Sequence, residues 1–89
     1  MKDNKLIANF MEYKSYEQNG YTIFKYPNNQ HLTEMDLRYH DDWNWLMPVV
    51  RKITTDESSL YVGETVRYGI IEYTYQSVVE FIKEQVNKV

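Results

Sequence analysis

The sequence predicts a small α+β domain, a mostly antiparallel sheet carrying about three helices, with all 89 residues in a single compact unit. Three observations lead there. Apolar side chains recur at helical spacing near residues 4–13, 43–53 and 71–86. The segment YTIFKY is dense in β-branched and aromatic residues and runs straight into Pro27, Asn28 and Asn29. The chain is also long enough for one core and too short for two. A chain of this size buries only somewhat over ~60% of the surface its unfolded state exposes, so its stability must come from a compact core.

Residues 4–13 place Leu6, Ile7, Phe10 and Met11 at i, i+1, i+4 and i+5, along one side of a short helix that Asp3 or Asn4 is placed to cap. Too short to persist alone, such a helix must dock its apolar face. After a polar stretch and Gly20, Tyr21–Tyr26 reads as the first strand of a hairpin. Pro27, Asn28 and Asn29 supply its turn, and residues 30–34 form a weaker second arm.

Asp41 or Asp42 stands where an N-cap belongs, ahead of Trp43, Leu46, Met47, Val50 and Ile53 at i, i+3, i+4, i+7 and i+10. That spacing makes one face of the helix core. Pro48 removes a backbone donor inside the pattern, which predicts a loosened first turn, a kink, or a regular start nearer Met47. Polar residues 54–59 then end the helix.

Leu60, Val62, Val66 and Tyr68 alternate with Tyr61, Gly63, Thr65 and Arg67, which predicts a strand, or a strand pair bent near Gly63 and Glu64. Beyond Gly69, the residues Ile71, Tyr75, Val78, Val79, Ile82 and Val86 follow i, i+4, i+7, i+8, i+11 and i+15, the strongest amphipathic signature in the chain. The helices are expected on one side of the small sheet.

Composition narrows the function classes. The absence of cysteine fits a reducing compartment. No N-terminal run resembles a signal peptide, since Asn9 and Glu12 closely follow Leu6 and Ile7, and no apolar stretch approaches the ~20 residues that span a bilayer. A cytoplasmic protein with no membrane partner is expected. Thirteen acidic and ten basic side chains give a net charge of −3 with no basic block, which argues against direct nucleic-acid binding through phosphates. Nine tyrosines are able to stack unpaired bases, but no positive groove accompanies them.

The twelve residues 39–50, YHDDWNWLMPVV, concentrate the candidate chemistry. His40, Asp41 and Asp42, with His31, Glu34 and Asp36 upstream, include metal-ligand types, but their spacing favours a helix cap with solvated acids over a metal site. No metal or cofactor is expected. There is no cysteine nucleophile, no serine in a strand-turn-helix elbow and no glycine-rich phosphate loop, so no enzyme activity is expected either. Trp43 and Trp45 lie about 200° apart around a helix axis and cannot both face one core. Trp43 shares the face of Leu46, Met47 and Val50, which leaves Trp45 as the tryptophan expected to be exposed or half exposed. With Tyr39 it forms an aromatic patch of the kind enriched in binding hot spots, unless it packs on the N-terminal helix. The alternative is that both tryptophans pack between two layers of the domain.

Three segments, NKLIANFM at residues 4–11, YHDDWNWLMPVVRKI at 39–53 and YQSVVEFIKE at 75–84, resemble recurring pieces of a group of small uncharacterised bacteriophage and prophage proteins. They cover a little over a third of the chain. Residues 16–37 and 56–70 depart from the group. A small acidic protein of this origin is similar in profile to anti-CRISPR proteins and other inhibitors of bacterial immune nucleases. The resemblance implies stoichiometric binding to a host protein, such as a CRISPR effector nuclease, with Tyr39, His40, Asp41, Asp42 and Trp45 as the expected partner-binding residues. One alternative is a structural phage domain that forms homo-oligomers through the same surfaces; the other, less favoured by the spacing of the ligand types, is a metal-dependent hydrolase whose metal would be held by His40.

Overall fold

A computed structural model describes residues 2–56 and 60–87. Its elements are α1 (Lys2–Phe10), β1 (Ser15–Gln18), β2 (Tyr21–Tyr26), β3 (Gln30–Thr33), α2 (Trp43–Asp56), α3 (Leu60–Thr65) and α4 (Ile71–Asn87), with 3-10 turns at Pro27–Asn29, Glu34–Asp36 and Val66–Tyr68. A three-stranded antiparallel sheet in the order β1-β2-β3, together with helices, makes the protein α+β. The chain divides into two compact units, Met1–Leu37 and Arg38–Val89.

In the first unit α1 stops earlier than its apolar spacing suggests. Glu12 adopts a left-handed conformation (φ 65°). Its amide donates to the Asn9 carbonyl at 3.0 Å, and the Tyr13 amide donates to the Ala8 carbonyl at 3.3 Å. This pair of bonds is a Schellman cap, usually built on glycine. Glu12 fills it despite the cost of a Cβ at positive φ, so no glycine marks the stop.

The hairpin expected from Tyr21 onward has a further strand before it. Asn19 and Gly20 both take positive φ, 53° and 82°, the signature of a two-residue type I′ turn whose twist matches antiparallel strands. β1 is polar and largely exposed, so hydrophobic patterning does not reveal it. β2 then pairs with β3 from Tyr26↔Gln30 to Ile23↔Thr33, across a three-residue loop that ends on left-handed Asn29 (φ 60°). Phe24 on the central strand is fully buried. On its side of β2, Thr22 accepts a hydrogen bond from Lys5 of α1 at 3.2 Å, and Tyr26 stacks on Tyr13 with ring centroids 4.2 Å apart. Asn4 is buried in α1, and its side-chain amide donates to the Leu37 carbonyl at 3.1 Å.

In the second unit α2 runs from Trp43 through Pro48 to Asp56 without a break. Proline has no amide to donate to the Asn44 carbonyl one turn back, and Asn44 is exposed, so water can take the missing place. The buried stripe is Leu46, Val49, Val50 and Ile53, with Trp43 and Met47 half-buried beside it. Residues 57–59 of the expected loop lie outside the described residues.

The strand expected over residues 60–68 is instead the helix α3 followed by a 3-10 turn. Val62 and Thr65, three apart, are its buried positions, a helical spacing that the β-branched residues conceal. The side chains of Leu60 and Tyr61 lie outside the described residues. A methyl group at Gly63 would meet Thr54 Cγ2 of α2 at 3.1 Å, a tight contact that the Thr54 side chain would have to relieve, so the glycine eases the approach of α3 to α2. α4 buries Tyr75, Val78, Val79 and Ile82 as its periodicity requires. The Val86 side chain is outside the described residues.

Because Glu12 occupies a glycine position with an exposed side chain, Glu12→Gly is expected to stabilise the protein by ~0.5–1 kcal/mol. Urea unfolding followed by circular dichroism checks this, and an unchanged or lower midpoint would contradict it.

Candidate functional site

The junction at residues 38–46 is built around one turn. The amides of Asp41 and Asp42 donate to the Arg38 carbonyl at 3.2 and 3.0 Å. The chain then enters α2 at Asp42, whose carboxylate accepts the Asn44 amide at 2.9 Å while its carbonyl accepts the amides of Trp45 and Leu46. Of the two aspartates expected as caps, Asp42 is the N-cap. Asp41 instead holds Arg38 through two hydrogen bonds, Nε to Oδ1 at 2.7 Å and Nη2 to Oδ2 at 3.1 Å. The Arg38 hydrogen bond holds the Asp41 carboxyl below its ordinary range, and the same bond raises the Arg38 guanidinium. Both side chains are open to water, where such a pair contributes little to stability.

His40 Nε2 lies 3.6 Å from Asp41 Oδ2, and its ring meets Tyr75 edge-on at 6.3 Å. His31, by contrast, belongs to β3, where Nδ1 is 2.9 Å from the Tyr16 hydroxyl. The Asp36 carboxylate accepts both the amide and the hydroxyl of Thr33. Among the described residues, no group of three or more His, Cys, Asp or Glu side chains is placed to hold a metal ion.

The exposed aromatic edge expected at Tyr39 and Trp45 is not present in that form. Tyr39 is buried, with 2% of its surface exposed. Its ring packs perpendicular to Trp45 at 5.3 Å, and Trp45 is half-buried. Tyr39 precedes the helix, so helical geometry does not limit where its ring goes, and folding back onto the indole satisfies both aromatic surfaces.

Exposed large apolar side chains include Tyr21 and Met35 in the first unit, and a cluster of them lies around Gly69 in the second. Tyr68 is 71% exposed, Ile70 46% and Tyr73 54%. Gly69 takes a left-handed φ of 67°, and its amide donates to the Val66 carbonyl at 3.0 Å, which ends the 3-10 turn and sends the chain into α4. The Tyr68 and Tyr73 rings stand 6.3 Å apart at 89°. Below them is a hollow of about 210 Å³ lined by Thr65, Tyr68, Tyr73, Gln76, Ser77 and Glu80. Tyr73, Gln76, Ser77 and Glu80 fall at i, i+3, i+4 and i+7, one stripe of α4.

The floor of the hollow is fixed by buried hydroxyls. Thr65 donates to the Val62 carbonyl at 2.6 Å, and its Oγ1 lies 3.1 Å from that of Thr74 and 3.2 Å from Ser77 Oγ. Ser77 donates to the Thr74 carbonyl at 2.9 Å. These hydroxyls are committed to structure, and no imidazole lines the hollow. The hollow thus offers two rings, an amide and the Glu80 carboxylate on its lining, and no general base of the histidine type.

Sequence reasoning missed this site because Tyr68 was assigned to a strand. One signal was available: Tyr73 and Gln76 fall off the apolar face set by Ile71, Tyr75 and Val78, which leaves an aromatic on the solvent side of the most regular helix. No known protein family, curated protein or solved structure matches the chain.

Two measurements separate scaffold from surface. Thr65→Val breaks the buried network and is expected to cost ~1–3 kcal/mol in chemical denaturation, whereas Tyr68→Ala and Tyr73→Ala should each stay within ~0.5 kcal/mol of the parent. Removing the α2 cap by Asp42→Ala is expected to cost ~1 kcal/mol, read from the urea midpoint by tryptophan fluorescence.

Proposed function

We propose that this chain is an accessory protein of the phage type its sequence resembles, acting by stoichiometric binding to a host protein. The proposed partner is a defence nuclease such as a CRISPR effector, engaged in the cytoplasm. The observation that carries the binding reading is the exposed trio Tyr68, Ile70 and Tyr73 at the junction of the Val66–Tyr68 turn and α4. Large side chains left in water on a scaffold that already buries Tyr39 and Tyr75 are a costly use of aromatics unless a partner covers them. The nature of the hollow agrees, since it offers shape, rings and one carboxylate in place of a nucleophile and base. Among the described residues, no helix is long and apolar enough to cross a membrane, which is compatible with a partner in aqueous solution.

Affinity capture from lysate of a host that carries the defence system is the test. The parent protein is expected to recover a defence nuclease component at equal stoichiometry, and the double variant Tyr68→Ala/Tyr73→Ala should lose it while keeping its circular dichroism spectrum. Equal capture by both proteins, or no defence component from either, would count against the proposal. Light scattering addresses the homo-oligomer directly: a monomer is expected, and a dimer that dissociates in the double variant would assign the patch to self-association instead.

A further inference from the structure

We infer that the hollow between Tyr68, Tyr73 and Glu80 receives an arginine side chain from a basic segment of the partner protein, an inference that rests on the protein-binding reading. Size comes first. At about 210 Å³ the hollow falls below the ~300 Å³ at which sites for drug-sized molecules begin, so its natural occupant is one side chain and not a free metabolite.

Charge comes second. The lining carries one ionisable carboxylate, Glu80, and no cation. Glu80 forms no ion pair among the described residues. Arg67 and Lys83 are exposed neighbours in the chain but do not line the hollow. A cationic occupant would therefore meet a free carboxylate and no competing ammonium or guanidinium on the lining.

Ring geometry comes third. Two tyrosine rings at 89° with centroids 6.3 Å apart bound a corner, and a cation seated there lies within reach of the electron-rich faces. Arginine fits these features better than lysine. Its planar guanidinium can stack on one ring while two of its N–H groups pair with the Glu80 carboxylate, and the Gln76 amide oxygen can accept another. A nucleic-acid base could also stack on the rings, but Glu80 would repel the phosphates that accompany it.

The test uses the whole protein, isotopically labelled, titrated with a short acetylated and amidated peptide holding one arginine between glycines. The control peptides carry citrulline, which keeps the shape and loses the charge, or lysine. Expected are NMR shift changes confined to Tyr68, Tyr73, Gln76, Ser77 and Glu80, with affinity about tenfold weaker for citrulline, weaker for lysine, and about tenfold weaker in Glu80→Gln. Equal response to citrulline, changes centred elsewhere, or no effect of Glu80→Gln would overturn the inference. Preference for lysine over arginine would overturn the choice of occupant.

Failure here differs from failure of the broader proposal. If Tyr68→Ala/Tyr73→Ala abolishes capture of the partner while Glu80→Gln does not weaken it, the surface binds protein and the arginine assignment is wrong. If arginine binds as expected but the double tyrosine variant still captures the partner, the hollow is a cation site outside the partner interface, which overturns the inference as stated.

Discussion

A helix of six residues is too short to hold its own hydrogen bonds in water, because nucleation costs more than so few bonds return. α3 is held by its packing: Val62 is fully buried, and the Thr65 hydroxyl, buried at its end, is bonded to the Val62 carbonyl and touches the Thr74 and Ser77 hydroxyls of α4. Much else in the second unit follows from that contact. It sets where the 3-10 turn begins, which places Gly69, which starts α4 and leaves Tyr68 and Tyr73 on the outside. A polar contact in such a place has the property that a purely apolar one lacks: it is satisfied in one register only, since each hydroxyl must find its partner or bear the cost of burial.

The protein uses tyrosine for two opposite purposes. Tyr39 and Tyr75 are buried and belong to the aromatic contacts around the start of α2, Tyr39 against Trp45 and Tyr75 against His40. Tyr68 and Tyr73 touch one another and otherwise face water. Composition cannot separate these roles, and backbone position can. Tyr75 lies in line with the apolar stripe of α4 and turns inward, whereas Tyr73, off that stripe, and Tyr68, beside left-handed Gly69, are left outside; Tyr39 precedes α2 and is buried by its contact with Trp45.

The same distinction governs how much of the structure was legible in the sequence. α4 follows directly from spacing, and so do Leu46, Val50 and Ile53 of α2; Val49 was not on the expected stripe, and Trp43 and Met47, expected in the core, are half-buried. The acidic cap was assignable to Asp41 or Asp42 because a side-chain acceptor before the first turn is a favoured partner for the free amides. β1 was missed because it has no buried face to impose alternation, although Asn19 and Gly20 carried the turn signal. α3 was misread because Val62, Val66 and the intervening residues alternate in polarity over too short a span to distinguish a helix from a strand. The end of α1 was hidden by Glu12 in a place where glycine is usual. Tyr39 was assigned to the surface for want of any rule that says where a ring ahead of a helix will fold. The hollow was out of reach for a compound reason, since it requires α3, Gly69 and the outer stripe of α4 to be right together.

Both tryptophans, Trp43 and Trp45, sit in the first turn of α2 and thus in the unit Arg38–Val89. The unit Met1–Leu37 holds the sheet and no tryptophan. Tryptophan fluorescence, excited to the red of tyrosine absorption, is therefore a private channel for one half of the molecule, and far-ultraviolet dichroism a shared one. The protein carries its own means of showing whether its two halves melt as one cooperative body: coincident curves from the two signals mean a single transition, and separated curves mean that the sheet and the helical unit unfold on separate terms.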